Sequence, residues 1–329
     1  MGLFLQGAGD GPRDGPLKRV VPNNALRGIL SLCLGVFVFS LQDAVIKQVS
    51  GAYPLTQVVS IRSVVAIPIL LTLVQIEAGW RAIFSRDFWP LTARAAIMFV
   101  SYTAYYMAFP ALPLADAVAL YFTVPLFVTA LAGPFLGERS GWRVWTAVAV
   151  GFAGVMVMLQ PGSGLFEPAA LLSLLAAAMY GTSMLMARKL GSAQAASVMA
   201  FYQNWVFLAG AALTALCLHM VGIDHAEHPS LSFLVRSWVW PTWADGLLIA
   251  SCGVIVATGM MFLTSAYRIA RASLVTPFEY SGILWAPLWG FLFFGEIPRL
   301  TTVAGAVLIV GAGMVALHVA RSQSQVIKS

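Results

Sequence analysis

Charge is scarce in this sequence. Lys, Arg, Asp and Glu make up 10% of the 329 residues, whereas apolar residues make up 60%. Soluble domains carry about 25% charged residues, so the composition excludes a soluble enzyme, a disordered chain and a coiled coil. Cysteine is scarce too. The three cysteines lie in apolar runs and form an odd set, which is typical of neither a disulfide framework nor a zinc site.

What the sequence does contain is long apolar runs, and its mean hydropathy is +0.84. A membrane-spanning helix needs about 20 apolar residues. We therefore predict an all-α polytopic membrane protein with ten transmembrane helices, preceded by a flexible cytoplasmic tail at 1–24 and followed by another at 321–329. The predicted spans are 25–47, 55–75, 90–110, 114–136, 142–160, 168–187, 196–221, 246–267, 272–294 and 300–320.

The distribution of basic residues orients these spans. With the N-terminus in the cytoplasm, fourteen Lys and Arg fall in cytoplasmic segments and only three fall outside. Cytoplasmic loops carry such an excess, so an even number of spans with both termini cytoplasmic is predicted. The net charge of +6 is thus explained by topology, and we expect no nucleic-acid partner.

An internal repeat divides the chain. Residues 108–159 align without gaps on 266–317, and FLGE at 135–138 falls on FFGE at 293–296. The predicted repeats are 25–160 and 161–320, with five spans each. Since five is odd, the second repeat enters the membrane upside down. Inverted-topology repeats are typical of secondary transporters, whose sites lie near the membrane midplane.

Several stretches resemble the EamA type of the drug/metabolite transporter superfamily. They include FSLQDAVIKQVSG at 39–51, VVSIRSVVAIPILL at 58–71 and VTPFEYSGILWAPLWGFLFFGEIP at 275–298, together with Pro125, thirteen residues before Glu138. One departure is Ile283, which stands where the second half would repeat Pro125. The resemblance implies a transporter of small organic solutes in a bacterial inner membrane, with a subgroup that carries amino acids and their derivatives. The chain has no G-x-x-x-x-G-K-[ST] loop for ATP, and no cofactor is expected.

Charged residues within spans are candidate site residues because their burial in lipid is costly. Asp43 and Lys47 share one face of the first span, and Arg62 lies at a similar depth on the second. One interpretation is an Asp43–Arg62 ion pair that fixes the hairpin, with Lys47 extending towards the outer surface. The other is a site in which Arg62 binds a substrate carboxylate and Asp43 binds an ammonium group.

Glu279 is the candidate coupling residue. It borders a row of small residues (Gly282, Ala286, Gly290) on the ninth span, so it should face protein or a cavity. There it can bind a substrate cation or exchange a proton; a hydrogen bond near Arg268 or Arg271 is the structural alternative. Aromatic residues complete the candidate site, as packing or as walls of a cavity for amino acids, aromatic solutes or quaternary amines. They are Tyr102, Tyr105, Tyr106, Tyr121, Tyr180, Tyr202, Phe278, Trp285 and Trp289.

Other polar residues are interpreted as structural. We predict that Asp116 is the N-cap or a first-turn acid of the fourth span. Glu138 and Glu296, at span ends, are predicted to cap or tether the next helix. In the 222–245 loop, His225 and His228 show no recurring metal-ligand spacing, so no metal site is expected. Part of this loop, SLSFLVRSWVW at 230–240, can form a short interfacial helix.

The sequence therefore predicts a secondary transporter, most simply an exporter of amino acids or related compounds that works by alternating access through a central aromatic cavity. Uptake or exchange of an S-adenosylmethionine-like cation is the alternative. A channel or a membrane enzyme is disfavoured, since no catalytic set or pore-forming ring is evident. The expected partners are a small-molecule substrate, the lipid bilayer and, as a candidate coupling ion, the proton; the chain is expected to be a monomer or homodimer.

Overall fold

The computed structural model describes residues 23–84, 87–137, 141–160, 162, 166–190, 195–269 and 276–326, and every regular element in these ranges is helical. Two 3-10 turns lie at Trp80–Ile83 and Thr276–Ser281. The predicted all-α class is thereby confirmed for this part of the chain. The α-helices are α1 (Asn23–Val49), α2 (Leu55–Glu77), α3 (Phe88–Ala108), α4 (Leu114–Tyr121), α5 (Val124–Leu136), α6 (Trp142–Leu159), α7 (Ala170–Leu190), α8 (Ala196–Val221), α9 (Pro229–Val235), α10 (Trp243–Ile269), α11 (Gly282–Phe294) and α12 (Leu300–Val326).

Seven helical segments among the described residues are long and apolar enough to cross a membrane. They lie in α1, α2, α4 with α5, α6, α7, α8 and α10, and a shorter apolar stretch lies at Leu300–Val315 of α12. Two other predicted spans are less apolar or shorter for local reasons. The third span, α3, carries Arg94 and three tyrosines, which lower its hydropathy. The ninth begins as a 3-10 turn, which leaves α11 with only 13 residues. The chain is a multi-pass membrane protein.

The fourth predicted span, 114–136, is interrupted by a two-residue break between α4 and α5. Pro125 lies in the first turn of α5, where its missing N–H is tolerated because the first N–H groups of a helix have no internal partner. At the break, the Thr123 hydroxyl donates to the carbonyl of Leu120 at 2.7 Å. The proline therefore favours the break, and a local side chain satisfies the exposed backbone.

The helix boundaries of the two halves match. At the alignment offset of 158 residues, the first residue of α5 corresponds to the first residue of α11, and the first residue of α6 to that of α12. The aligned glycines Gly137 and Gly295 end α5 and α11 with φ of +70° and +65°, a left-handed conformation that glycine readily adopts after a helix. The glycine of each Gly-Glu pair therefore has a backbone role. Glu138 lies outside the described residues.

Helices from the two halves pack against each other throughout the bundle. The most extensive contacts are α1 with α10, α2 with α8, α3 with α7, and α6 with α12. Large apolar side chains point away from the bundle, as expected for surfaces that face lipid. Exposed examples are Trp205, Met220, Leu247, Leu284, Phe291 and Val307.

Two glycines allow α6 and α12 to approach closely. A Cβ atom at Gly154 would lie 2.8 Å from the carbonyl oxygen of Gly305, and a Cβ atom at Gly305 would overlap the side chain of Met158. Small residues permit such close helix packing in membranes. The α6–α12 contact therefore depends on the absence of side chains at these two positions.

We expect Gly305→Val to destabilise the protein by about 1–3 kcal/mol or more, because the added carbons must displace Met158 and the α6 backbone. Thermal unfolding in detergent and elution as a single species measure the loss. Gly311→Val on the same helix is the matched control, since nothing lies within 4 Å of its added Cβ. Equal stability of the two variants would contradict this interpretation.

The segment before α10 covers the α1–α2 end of the bundle, by which we mean the end that carries the turn at residues 50–54. The predicted 230–240 helix is shorter than expected, since α9 ends at Val235. Phe233 on α9 is fully buried, so this helix packs on protein. Farther on, the Gln57 amide donates to the Val239 carbonyl at 2.6 Å and accepts from the Val239 N–H at 3.2 Å.

His228, in the same segment, contacts Glu167 at 2.9 Å and accepts from the backbone N–H of Ser230 at 3.2 Å, at the start of α9. It thus helps to fasten the segment to the bundle. Among the described residues, no three His, Cys, Asp or Glu side chains are placed to hold a metal ion.

Candidate substrate-binding site

Side chains from α1, α2, α3, α4, α7 and α8 meet inside the bundle. Four of them, Asp43, Tyr102, Tyr121 and Tyr180, are only half buried. Most are residues that the sequence singles out. We call this group the central cluster; it consists of Asp43, Arg62, Arg94, Tyr102, Tyr105, Tyr106, Tyr121, Tyr180 and Phe207.

Asp43 provides the acidic group of the central cluster. Its carboxylate accepts a hydrogen bond from the Tyr105 hydroxyl at 3.0 Å. The neighbouring Gln42 donates to the Tyr106 hydroxyl at 2.6 Å. These two adjacent pairs fix α1 against α3 and orient the carboxylate, which retains capacity for further donors because each oxygen has two lone pairs.

Four tyrosine rings pack in series along the central cluster, beginning with Tyr105. The rings of Tyr105 and Tyr121 are 4.5 Å apart between centroids, those of Tyr121 and Tyr180 5.6 Å, and those of Tyr102 and Tyr180 6.4 Å. Tyr106 lies 5.7 Å from Tyr102. The aromatic wall predicted from the sequence thus brings Tyr102, Tyr106, Tyr121 and Tyr180 together.

Arg62 provides a positive charge on α2. The side chain is 3% exposed, its guanidinium lies 5.4 Å from the centroid of the Phe207 ring, and its Nε has no hydrogen-bond partner among the described residues. Beside it, the Asn204 amide donates to the carbonyl of Ser63 at 3.0 Å, which holds α8 against α2. An arginine held in this way presents a planar set of donors that suits a carboxylate.

The expected Asp43–Arg62 ion pair is absent from the described residues. Asp43 is hydrogen-bonded to α3, whereas Arg62 stacks on α8. Similar depth did not imply contact, because the two side chains leave their helices towards different neighbours. Neither group therefore neutralises the other.

Arg94 is a candidate site residue that the sequence pattern did not single out. It is 8% exposed and shares the buried face of α3 with Met98, Ser101 and Tyr105, at the spacing of one helical face. It lies about two helical turns before Tyr102 on the same helix. The available signal was a charge six positions inside α3, at helical spacing from the tyrosines.

Tyr202 lies apart from the central cluster. Its hydroxyl donates to the carbonyl of Ile83 at 2.7 Å and its ring packs on Phe88. It belongs to a separate apolar group with Val74, Leu91 and Val198. The structure therefore places it in packing between α8 and the region that joins α2 to α3.

Trp285 lies on the α11 side of α1. Its ring is 4.9 Å from Phe37 and stacks on Trp289 at 6.2 Å, and its indole N–H has no partner among the described residues. The Trp289 indole donates to the Ser40 hydroxyl at 2.9 Å. Phe37 and Ser40 of α1 thus contact the tryptophans, and the next turn, with Gln42 and Asp43, contacts the tyrosines of α3.

Glu279 lies in the 3-10 turn before α11 and is half buried, next to Tyr280. Phe278 and Ser281 also lie in this 3-10 turn, whereas Trp285 and Trp289 lie on α11. The small residues Gly282, Ala286 and Gly290 are all buried, which confirms that their row faces protein. The alternative partners Arg268 and Arg271 have side chains outside the described part.

An ion pair closes the α1–α2 end. Lys47 contacts Glu296 at 2.6 Å and donates to the carbonyl of Leu112 at 2.6 Å, while Glu296 also accepts from the Leu114 N–H at 2.8 Å. The prediction that Lys47 extends to the surface is therefore wrong, since its side chain is 10% exposed. Glu296 caps α4 rather than the helix that follows it. A cavity of about 590 Å³ borders this pair.

Asp116 makes a second link at the same end. It contacts Arg299 at 3.0 Å and accepts from the Thr302 hydroxyl at 2.5 Å. Of the two predicted placements, the first turn of α4 is confirmed for Asp116, whereas the N-cap position is Pro113, which has no side-chain hydrogen bond. Asp116 and Glu296 thus join the start of α4 to the start of α12 and to the end of α1.

The helix arrangement and its buried charges agree with the comparison to known families. The EamA-like transporter family matches residues 26–160 and again 167–317. The chain belongs to this family. The resemblance drawn from the sequence is confirmed, and the protein is a transporter rather than an enzyme. The two matched ranges correspond to the two halves of the chain, whose helix boundaries agree at the alignment offset.

Named relatives of this EamA-like chain carry metabolites. A pseudopaline exporter of Pseudomonas aeruginosa is 32% identical over 287 residues, 87% of this chain and 94% of the relative. A riboflavin transporter of Rhizobium johnstonii is 29% identical, over 90% and 92% of the two chains. An S-adenosylmethionine uptake transporter of Rickettsia prowazekii is 25% identical, over 89% and 93%.

A solved structure shares the fold. A crystal structure superposes with a TM-score of 0.57 at 21% identity, over 91% of this chain and 98% of that chain. At this identity the likeness concerns the fold alone.

Proposed function

We propose that this EamA-like protein is a secondary transporter of the bacterial inner membrane that exports amino acids or related compounds. Asp43 holds the substrate ammonium group, Arg62 its carboxylate, and the tyrosine wall (Tyr102, Tyr106, Tyr121, Tyr180) its side chain. The observation that carries this proposal is the separation of Asp43 from Arg62 within one aromatic cluster. A buried acid and a buried base that do not pair with each other are complementary to a zwitterion.

Alternating access is supported by the correspondence of the halves. We take α1, α2, α3, α4 with α5, and α6 as the repeat 25–160, and α7, α8, α10, α11 and α12 as the repeat 161–320. Exchanging the halves converts the α1–α10 contact into the α7–α3 contact and leaves α2–α8 and α6–α12 unchanged. Ten spans in inverted repeats place both termini in the cytoplasm and the α1–α2 end at the periplasm. Rocking of one half against the other then exposes the central cluster to each side in turn.

The direct test uses purified protein in liposomes. Radiolabelled amino acids, S-adenosylmethionine and choline are offered with and without a pH gradient, and saturable uptake is measured. We expect saturation with an amino acid. Saturable flux of S-adenosylmethionine or choline alone would indicate that the protein carries cations instead of amino acids. Non-saturable flux of every solute would contradict a carrier mechanism.

The cation alternative has one specific observation in its favour. Trp285 presents a half-buried ring and an indole N–H with no partner among the described residues. Aromatic faces attract cations such as S-adenosylmethionine. Loss of S-adenosylmethionine uptake in Trp285→Leu, with amino-acid uptake unchanged, would support this alternative.

We expect Glu279→Gln to abolish accumulation driven by a pH gradient and to spare exchange of substrate across the membrane. The physical reason is that glutamine keeps the shape of the side chain but cannot carry a proton. Uptake against a pH gradient and counterflow at equal pH on both sides measure the two processes. Glu227→Gln, an exposed acid in the 222–245 loop, is the control. Loss of both processes, or of neither, would contradict a coupling role.

A further inference from the structure

The buried charges of the central cluster do not balance. Two guanidinium groups, those of Arg62 and Arg94, share the cluster with one carboxyl group, that of Asp43. Both arginines are more than nine-tenths buried, and the Nε of each lacks a hydrogen-bond partner among the described residues. Neither forms an ion pair within this part of the chain. Since arginine does not lose its proton in proteins, the cluster carries at least one unbalanced positive charge.

Such a charge is costly unless another group compensates it. Removing an ion from water costs several kcal/mol, and this is offset only when an opposite charge and hydrogen bonds replace the water. An arginine near a membrane surface normally extends its head into water, but Arg94 is 8% exposed and lies on the buried face of α3. Its position therefore needs a partner from outside the protein.

The position of Arg94 places that partner within the site. Arg94 shares a buried face of α3 with Tyr105, the hydrogen-bond partner of Asp43. Arg62 lies over the Phe207 ring that Tyr102 also contacts. Tyr102 thus lies among the three ionic groups, and its ring contacts Tyr180 and Phe207 at 6.4 and 5.6 Å between centroids. A solute that lies against Tyr102 is within reach of both arginines and of the acid.

We propose that Arg94 and Arg62 form a two-guanidinium site, and that the preferred solute is an amino-acid derivative with two carboxylates and one amine. Such a solute carries one net negative charge and neutralises the cluster. Each carboxylate can take two parallel hydrogen bonds from a guanidinium, and the amine meets Asp43. This inference rests on the proposed function and narrows its substrate class.

The test compares two probes that differ only in one carboxylate: N-(carboxymethyl)-L-phenylalanine and N-(carbamoylmethyl)-L-phenylalanine. Counterflow into proteoliposomes gives kcat/KM for each. We expect the diacid to be preferred by roughly 30-fold or more in the unmodified protein, since loss of one partner of a buried charge pair has such an effect. In Arg94→Gln we expect this preference, taken as the ratio of the two kcat/KM values, to fall to within about 3-fold. Arg81→Gln, at an exposed arginine, should keep the preference.

The outcomes separate this inference from the proposed function. Equal transport of both probes by the unmodified protein, or an unchanged preference in Arg94→Gln, overturns the two-guanidinium site and leaves the amino-acid carrier intact. Absence of saturable transport of any amine with a carboxylate overturns the proposed function itself. If Arg94→Gln transports neither probe, the preference between the two probes is measured in Arg94→Lys instead. A reduced preference there supports the proposal, because lysine keeps the charge without the planar donors; an equal change for both probes overturns it.

Discussion

Replacement of Arg62 by glutamine is expected to reduce kcat/KM for the best amino-acid substrate by roughly 30-fold or more, because truncation of one partner of a buried charge pair costs about 2–5 kcal/mol. The guanidinium is 3% exposed and has no acidic partner within the described residues, so a substrate carboxylate is its natural ligand in the proposed site. Initial rates of counterflow across a range of substrate concentrations measure the change. Arg62→Lys should recover part of the activity, since it restores the charge but not the paired donors.

Folding of the Arg62→Gln variant is checked separately. The variant should elute and unfold like the unmodified protein, because Arg62 forms no ion pair that fixes α2 among the described residues. Arg27→Gln, at an exposed position of α1, controls for the loss of one positive charge. An active Arg62→Gln variant would remove the carboxylate site at this position. A folded variant that is inactive towards amino acids but active towards choline would confirm that the guanidinium selects the anion.

The sequence predicts the helices well where hydrophobicity alone decides the structure. The break in the fourth span shows where it does not. Pro125 is visible in the sequence, yet a span of apolar residues hides whether the chain bends there or starts a new helix. The second half breaks at the aligned position with Gly282 as the first residue of α11, although it has no proline there. The break therefore depends on packing as well as on composition.

The site was predicted less completely, for a geometric reason. Helical spacing tells which residues share a face, but it does not tell which helix that face meets. Asp43 and Arg62 have the same depth and contact different partners. Arg94 lies near the start of α3, and its position in the sequence does not show that its side chain is buried in the bundle. Pairings between helices distant in sequence, such as Lys47 with Glu296, have no local signal.

Glu296→Gln is expected to weaken the closure of the α1–α2 end, because Lys47, whose side chain is 10% exposed, then keeps its charge without the opposite charge that compensates it. Lys47 would lose its 2.6 Å partner, although an amide oxygen can still accept from the Leu114 N–H. If this end is the periplasmic gate of the transporter, the central cluster then becomes more accessible from the periplasm. A single cysteine in place of Tyr121, in a background of Cys33→Ser, Cys217→Ser and Cys252→Ala, reports that access through its labelling rate with a membrane-impermeant maleimide.

The labelling rate separates a gate from a merely structural ion pair. A gate predicts faster labelling from the periplasmic side of oriented vesicles, by roughly tenfold or more, since the lost pair energy shifts the population of the closed state. It also predicts slower labelling from the cytoplasmic side, because alternating access couples the two ends. Asp224→Asn, at an exposed acid of the loop before α9, should change neither rate. Faster labelling from both sides would indicate loosened packing.

Lys47→Ala should change the labelling rates as Glu296→Gln does. The double variant should show little further change in these rates, because both substitutions remove one shared interaction.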